Sequence, residues 1–405
     1  MLRLIHTTDL TFEEFEKLSA PSYAIVSHRW GHDEVSYQDF LDGRKREGYG
    51  WTKIVKACEI ARAQDLTWLW IDTCCIDKKS SAELTESINS MYRWYYHCHD
   101  CLTLLPDVDL TDADPGFSEQ FRQSSWFTRG WTLQELLAPR RLLFFNKHFQ
   151  HVGDKYHRLQ DIVAATGIDK YYLLGMSNVR EASVAERMKW ASLRESTRTE
   201  DEAYCLLGLF DVNMPLLYGE GSKAFLRLQL EIIRKTDDES IFTWWQDPAQ
   251  SGSWQGLLAP SPRAFTMPKN ENVKVLKVQS RHPYSMTHKG LRLKTSVPRS
   301  LEVPLRSSVT ILLPLNCERV SRSTDHKTTR QQIALRINVK ATGQSDMPIY
   351  EGSHFRARTR GEKIILADGQ VFDKSSAYSC FYTIGMRNKD TPMQPLTIYF
   401  KQDGV

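Results

Sequence analysis

The chain has 405 residues, 25% of them charged, with 11 Trp, 16 Tyr and 17 Phe. It is long enough for two or three domains with real cores and too aromatic to be disordered. A net charge of +4 is small for this length and gives no support to nucleic-acid binding as a main role, although local basic clusters occur.

The opening Met1-Leu-Arg-Leu-Ile-His-Thr-Thr-Asp-Leu10 is broken by charge and followed by Glu13, Glu14 and Glu16. That pattern predicts neither a signal peptide nor a membrane anchor. No apolar run reaches the ~18 residues a spanning helix needs. The eight cysteines are scattered, and Cys74, Cys75 and Cys205 sit in apolar segments. Reduced thiols in a cytoplasmic protein are expected rather than a disulfide framework.

Four short apolar runs follow: Tyr23-Ala-Ile-Val26, Leu66-Thr-Trp-Leu-Trp-Ile71, Cys101-Leu-Thr-Leu-Leu105 and Leu142-Leu-Phe-Phe145. Each reads as a strand buried on both faces, as in a parallel sheet. Helical patterns alternate with them. Residues 51–64 place Ile54, Val55, Cys58, Ile60 and Ala61 at apolar positions. Ser80 and Glu83 have capping-box spacing, ahead of Leu84, Ile88, Met91, Tyr92 and Tyr95. A third helix runs from Trp131 to Ala138, stopped by Pro139. Winding it places Leu133, Leu136 and Leu137 on a core face, with Trp131 and Glu135 stacked together opposite. The alternation predicts an open, doubly wound α/β sheet over residues 1–150.

Residues 151–245 read as a mostly helical extension, with Thr197, Thr199 and Ser222 as helix starts. From about Pro260 short β-type runs take over, at Val273–Val278, Val309–Leu315, Gln332–Val339, Ile364–Leu366, Cys380–Ile384 and Leu396–Phe400. Residues 260–405 therefore read as a β-rich C-terminal domain, a sandwich or barrel.

Ligands of open parallel sheets bind beyond the carboxyl ends of the strands, where strand order reverses. Strand one here is followed by Ser27, His28, Arg29 and Trp30, strand two by Asp72, and strand three by a loop leading to Trp126, Arg129, Trp131 and Glu135. With strand order 2-1-3-4, Arg29, Trp30, Trp131 and Glu135 converge on one crevice. Aromatic faces, an arginine and a carboxylate suit a nucleotide's base, phosphate and ribose. The rival arrangement has Trp30 and Trp131 covering the sheet edge while Arg29 pairs with Glu135, and spacing alone favours neither.

Three blocks, Tyr23-Ala-Ile-Val-Ser-His-Arg-Trp-Gly31, Trp70-Ile-Asp-Thr-Cys-Cys-Ile-Asp77 and Arg129-Gly-Trp-Thr-Leu-Gln-Glu135, resemble the signatures of the fungal heterokaryon-incompatibility (HET) domain. The resemblance continues through Arg187-x-x-Trp190, Thr199–Phe210 and Met214–Gly221, covering roughly the first 245 residues. It implies self/non-self recognition in filamentous fungi and a trigger of cell death. Ser125-Trp126 with Trp131-Thr-Leu-Gln-Glu-Leu136 is also distantly similar to the TIR-domain helix that bears a catalytic glutamate. That likeness implies a flavodoxin/TIR-like core that cleaves NAD between nicotinamide and ribose. Glu135 becomes the catalytic carboxylate and Trp131 its aromatic partner, with Ser27, Arg29 and Asp72 nearby. The chain departs from TIR domains in His28 and Trp30, in the 106–125 insertion and in the extension after residue 150. The implied partners are a nucleotide substrate and an activating sensor protein or further copies of the chain. No resident cofactor, metal or membrane contact is expected. The alternative is a non-catalytic signalling adaptor that works by assembly.

Other motifs have plainer readings. Glu83 and Glu86 fit helix capping. The Cys-x-x-Cys at Cys98–Cys101 lacks the second ligand pair zinc needs. Gly219-Glu-Gly-Ser-Lys223 lacks phosphate-loop spacing and reads as a turn. Arg187, Trp190 and Arg194 fall on one helical face, with Arg198 just beyond. Salt bridges to Glu186, Glu200 or Asp201 account for them more simply than a grip on pyrophosphate.

Overall fold

A computed structural model describes residues 1–16, 19–244 and 257–275, and strand segments at 285–287, 290–298, 308–322, 328–340, 349–360, 363–366, 371–373 and 393–400. The chain divides into two compact units, one of Met1–Glu181 with Leu193–Leu228, the other of Ala182–Ser192 with Gln229–Val405.

The first unit is built on seven strands: β1 (Leu2–His6), β2 (Phe12–Phe15), β3 (Tyr23–His28), β4 (Trp68–Trp70), β5 (Asp100–Leu104), β6 (Leu142–Phe145) and β7 (His151–Asp154). Their order is β2-β1-β4-β3-β5-β6-β7. β4, β3, β5 and β6 are mutually parallel, so the four apolar runs stand in the order 2-1-3-4. All residues of β3, β5 and β6 are buried, which accounts for their unbroken apolar character. The edges are antiparallel: β1 pairs β4 and β2 on one side, and β7 pairs β6 on the other.

Helices connect and flank these strands: α1 (Tyr37–Leu41), α2 (Gly48–Arg62), α3 (Ser81–His97), α4 (Phe117–Arg122) and α5 (Thr132–Leu137). Ser80 caps α3 by accepting the Glu83 N–H, as the capping spacing requires. Glu83 itself turns to Arg3 and the Asp77 N–H. Beyond β7 come α6 (Leu159–Thr166), α7 (Lys170–Leu173), α8 (Val184–Ala191), α9 (Asp201–Tyr204), α10 (Leu207–Phe210) and α11 (Lys223–Lys235). α8 ends at Ala191, so Arg194 does not continue the helical face of Arg187 and Trp190. The Thr197 and Thr199 capping boxes do not form either. Glu200 precedes α9 without a side-chain cap and instead accepts the N–H groups of Gly219 and Gly221. Those two glycines have φ of 108° and 60°, which makes the segment a turn.

In the second unit α8 packs beside β8 (Glu271–Val275) and the short turn Pro262–Phe265. The Lys189 ammonium donates to the Glu271 carbonyl at 2.5 Å and to Asn272 Oδ1 at 2.9 Å. The remaining strands are β9 (Ser285–Thr287), β10 (Gly290–Pro298), β11 (Ser308–Arg322), β12 (Thr328–Lys340), β13 (Ile349–Arg360), β14 (Lys363–Leu366), β15 (Val371–Asp373) and β16 (Met393–Phe400). They run in the order β8-β11-β12-β13-β16-β10-β9, with β14 and β15 appended to β13. All the pairings are antiparallel except β13 with β16. The expected strand at Cys380–Ile384 lies outside the described residues, as do 276–278.

Candidate active site

Side chains alternate across a strand, so the last two residues of β3 serve opposite faces of the sheet. Tyr23 and Ser27 point toward α3 and α5, and His28 points toward α2. Ser27 lies beside Thr103 of β5, at the point where the strand order reverses.

On the Ser27 face the Ser27 hydroxyl donates to Glu135 Oε2 at 2.5 Å and accepts the Trp126 indole N–H at 2.8 Å. Tyr95, at the end of α3, hydrogen-bonds Glu135 and donates to the Val26 carbonyl at 3.0 Å. Glu135 is 6% exposed and Trp126 is fully buried. No cation stands within ion-pair distance of Glu135 among the described residues. Burial pushes its carboxyl up to about 8, against the Ser27 hydrogen bond and with help from the Asp72 charge. Glu135 is therefore a mainly neutral acid at pH 7.

The α5 helix corrects the sequence expectation of an apolar stripe opposed by a polar one. Every residue from Thr132 to Leu137 is buried. Trp131 and Glu135 take different partners: the Trp131 indole hydrogen-bonds Asp201, which also accepts the Tyr218 hydroxyl at 3.0 Å. Arg129 and Arg198 supply positive charge at Asp201. Arg129 and Trp131 thus belong to a cluster with α9 rather than to the Ser27–Glu135 contact.

On the His28 face, Lys53 of α2 is buried and reaches both oxygens of Glu34, at 2.5 and 2.6 Å. His28 lies 3.6 Å from Glu34 and 3.9 Å from Asp72. Burial, then the Lys53 charge, lower the His28 pKa, so the imidazole is neutral. Burial opposes ionisation of Glu34, but its contact with His28 and the Lys53 charge outweigh it and hold the carboxyl well below the usual range. Asp72 stands between the two faces. It touches His28, accepts the Trp30 indole N–H at 2.8 Å, and is felt electrostatically at Glu135.

Trp30 is 50% exposed, with the Lys78 ammonium 3.4 Å from its ring centroid, and Arg29 is exposed beside it. Arg29 makes no ion pair with Glu135, so the rival edge-pairing arrangement is not the one adopted. The structure therefore brings together Ser27, Trp126 and Glu135, with Asp72, Trp30 and His28 adjoining. A separate cavity of about 240 Å³, lined by Arg3, Glu14, Cys75, Glu83 and Trp94 among others, contains none of these residues.

Sequence reasoning missed Tyr95, Lys53 and Glu34. Tyr95 was readable only as an apolar helix position. Lys53 did carry a signal, because it interrupts the buried stripe of Gly50, Ile54, Ala57, Cys58 and Ala61. Cys98 and Cys101 are buried thiols, and the described residues hold no cluster of three or more His, Cys, Asp or Glu suited to a metal ion. No helix among them is long and apolar enough to cross a membrane.

Residues 23–116, from β3 to the approach to α4, match the family model described as heterokaryon incompatibility protein (HET). The chain is also similar to vegetative incompatibility protein HET-E-1 of Podospora anserina, with 45% identity over 223 residues. That stretch is 54% of this chain and only 16% of the relative, so the chain spans a small part of that protein's length. No solved structure matches it. The strand that carries Ser27, the Asp72 loop and the α3 helix all lie inside the stretch that matches the heterokaryon-incompatibility family model.

Proposed function

We propose that this chain acts in vegetative incompatibility as a cell-death effector, and that its α/β unit cleaves the nicotinamide–ribose bond of NAD with Glu135 as the reacting-site carboxylate. The observation that carries the reading is Glu135 itself. It is a buried carboxyl with a raised pKa, held by Ser27 at the carboxyl end of the parallel strands and at the reversal of strand order. Such a group is costly in a core and suits chemistry that needs a fixed charge.

Cleavage of the bond passes through an oxocarbenium-like state at the ribose carbon. The bond electrons leave with nicotinamide, which departs neutral, and water adds to the ribose carbon and releases one proton. A cationic ring arriving beside Glu135 favours its carboxylate form, so substrate binding ionises the group that stabilises the developing charge. Ser27, itself held by the Trp126 N–H, keeps the carboxyl in one orientation. Trp30 and Arg29, exposed beyond β3, are the aromatic face and cation for the rest of the nucleotide. Activation by a sensor protein or by further copies of the chain, in the cytoplasm, completes the proposal.

The second reading is an adaptor that signals by assembly. One observation favours it: Glu135 is almost wholly enclosed, and its hydrogen bonds are internal. Nicotinamide release by the purified chain, compared with Glu135→Gln, separates the two. We expect the substitution to lower the rate by at least about a hundredfold. Equal rates above the blank remove Glu135 from the reaction, and cell death that survives the substitution supports the adaptor.

A further inference from the structure

The start of α5 is gripped from a distance in sequence. The chain re-enters the first unit at Leu193, and the next residues pair with the segment just before α5. The Glu195 N–H donates to the Thr128 carbonyl at 2.6 Å, and the Gly130 N–H donates to the Glu195 carbonyl at 2.8 Å. Arg129 and Glu195 form a parallel bridge. The approach is close: a Cβ on Gly130 would lie 2.6 Å from Ser196 Oγ and 3.2 Å from Cys205 Sγ. Arg194, 7% exposed, closes the grip. Its Nη1 donates to the Arg129 carbonyl at 2.8 Å and to Thr132 Oγ1 at 2.9 Å. Thr132 in turn donates to the carbonyls of Trp126 and Arg129. One guanidinium therefore ties together the Trp126 turn and the first residue of α5, one helical turn before Glu135.

Resting on the reading of Glu135 as the reacting-site carboxylate, we propose that Arg194 is its positioning residue: it pins the α5 start and provides positive charge felt at the carboxyl. The groups facing Glu135 are Ser27 from β3, Tyr95 from α3, Trp126 from the turn before α5, and Asp72 from beyond β4. Of these Asp72 opposes ionisation. Arg194 favours it. A buried guanidinium is costly to keep, and a methionine fills similar space without the charge.

The test uses the full chain with Arg194→Met and Arg194→Lys. The Glu135 carboxyl is followed over pH in ¹³C-glutamate-labelled protein, its signal assigned by its loss in Glu135→Gln. Arg194→Met is expected to raise the proton affinity of Glu135 about tenfold. It should also lower kcat for nicotinamide release by about tenfold or more, with KM within about twofold. Arg194→Lys is expected to restore most of both. An unchanged Glu135 titration in Arg194→Met overturns the proposal, as does a folded Arg194→Lys that titrates and turns over no better than Arg194→Met. If Arg194→Met does not fold, Arg194→Gln takes its place: a Glu135 midpoint raised above the parent's supports the role, and a midpoint identical to the parent's overturns it. Should the parent chain release no nicotinamide, the NAD reading fails while the titration still decides the role of Arg194.

Discussion

Ser27 and His28 are neighbours on one strand, and the two faces they serve hold carboxyls in opposite states. Glu34 on the His28 face has Lys53 against both its oxygens and is held ionised. Glu135 on the Ser27 face has the indole-bound Ser27 hydroxyl and a tyrosine around it, and is held neutral. The comparison separates two meanings of a buried acid. A carboxylate paired at close range is fixed in one state and serves the fold. A carboxyl buried without a close cation stays near the point where a ligand's charge can switch it, which is what a reacting group requires.

The sharpest way to break the comparison is to unpair the His28 face. Lys53→Met leaves the part-buried Glu34 without the charge against its two oxygens, and we expect a loss of about 2–3 kcal/mol in urea denaturation. Adding Glu34→Leu should return most of it, because the apolar pair needs no desolvation. A loss below about 1 kcal/mol for Lys53→Met alone would show that water reaches Glu34.

The second prediction concerns pH. Glu135 has its carboxyl raised from 4.5 to about 8 on folding, so the native chain binds more protons than the unfolded one between those values. Its contribution is complete below about pH 4.5 and is lost as pH rises through about 8. Stability should therefore fall by about 2 kcal/mol between pH 5 and 7 from this group alone. Glu135→Gln keeps the shape and has no proton to lose, so the difference between the two pH profiles isolates the group. Parallel profiles over that interval would mean that Glu135 is ionised like Glu34, and the distinction between the faces would collapse.

What could be read without coordinates follows from how local the cause is. β3, β5 and β6 are buried on both faces and write themselves as unbroken apolar runs, and their parallel order followed. β1, β2 and β7 were not read. β2 is Phe-Glu-Glu-Phe with both glutamates exposed, and β7 contains one buried residue, Val152, so neither gives a run. The α5 helix was legible through Pro139, but its burial was not. Glu135 is tolerated inside because Ser27, 108 residues earlier, meets it. The Arg194 grip is equally invisible, since it is made by carbonyls that every residue possesses. The positions of Ser27 and Asp72 at strand ends follow from topology. Those of Tyr95 and Lys53, which pack across the core, needed tertiary packing to appear.

The smallest expected effect tests where the site opens to solvent. Trp30 is fixed in plane by its N–H to Asp72, and Lys78 covers its ring. Lys78→Met keeps the aliphatic stem over the indole and removes only the charge, so the loss reports the cation–π attraction. We expect roughly 0.5–1 kcal/mol, because Trp30 is half exposed. A double-mutant cycle with Trp30→Ala makes the inference clean: the Lys78→Met effect should vanish in that background if the ring is its origin. An effect that persists without Trp30 would trace instead to the Asp72 charge, tying Lys78 to the same carboxylate that both faces share. In that case Asp72, rather than the exposed indole, would be the group through which a ligand at the strand ends is felt at Glu135.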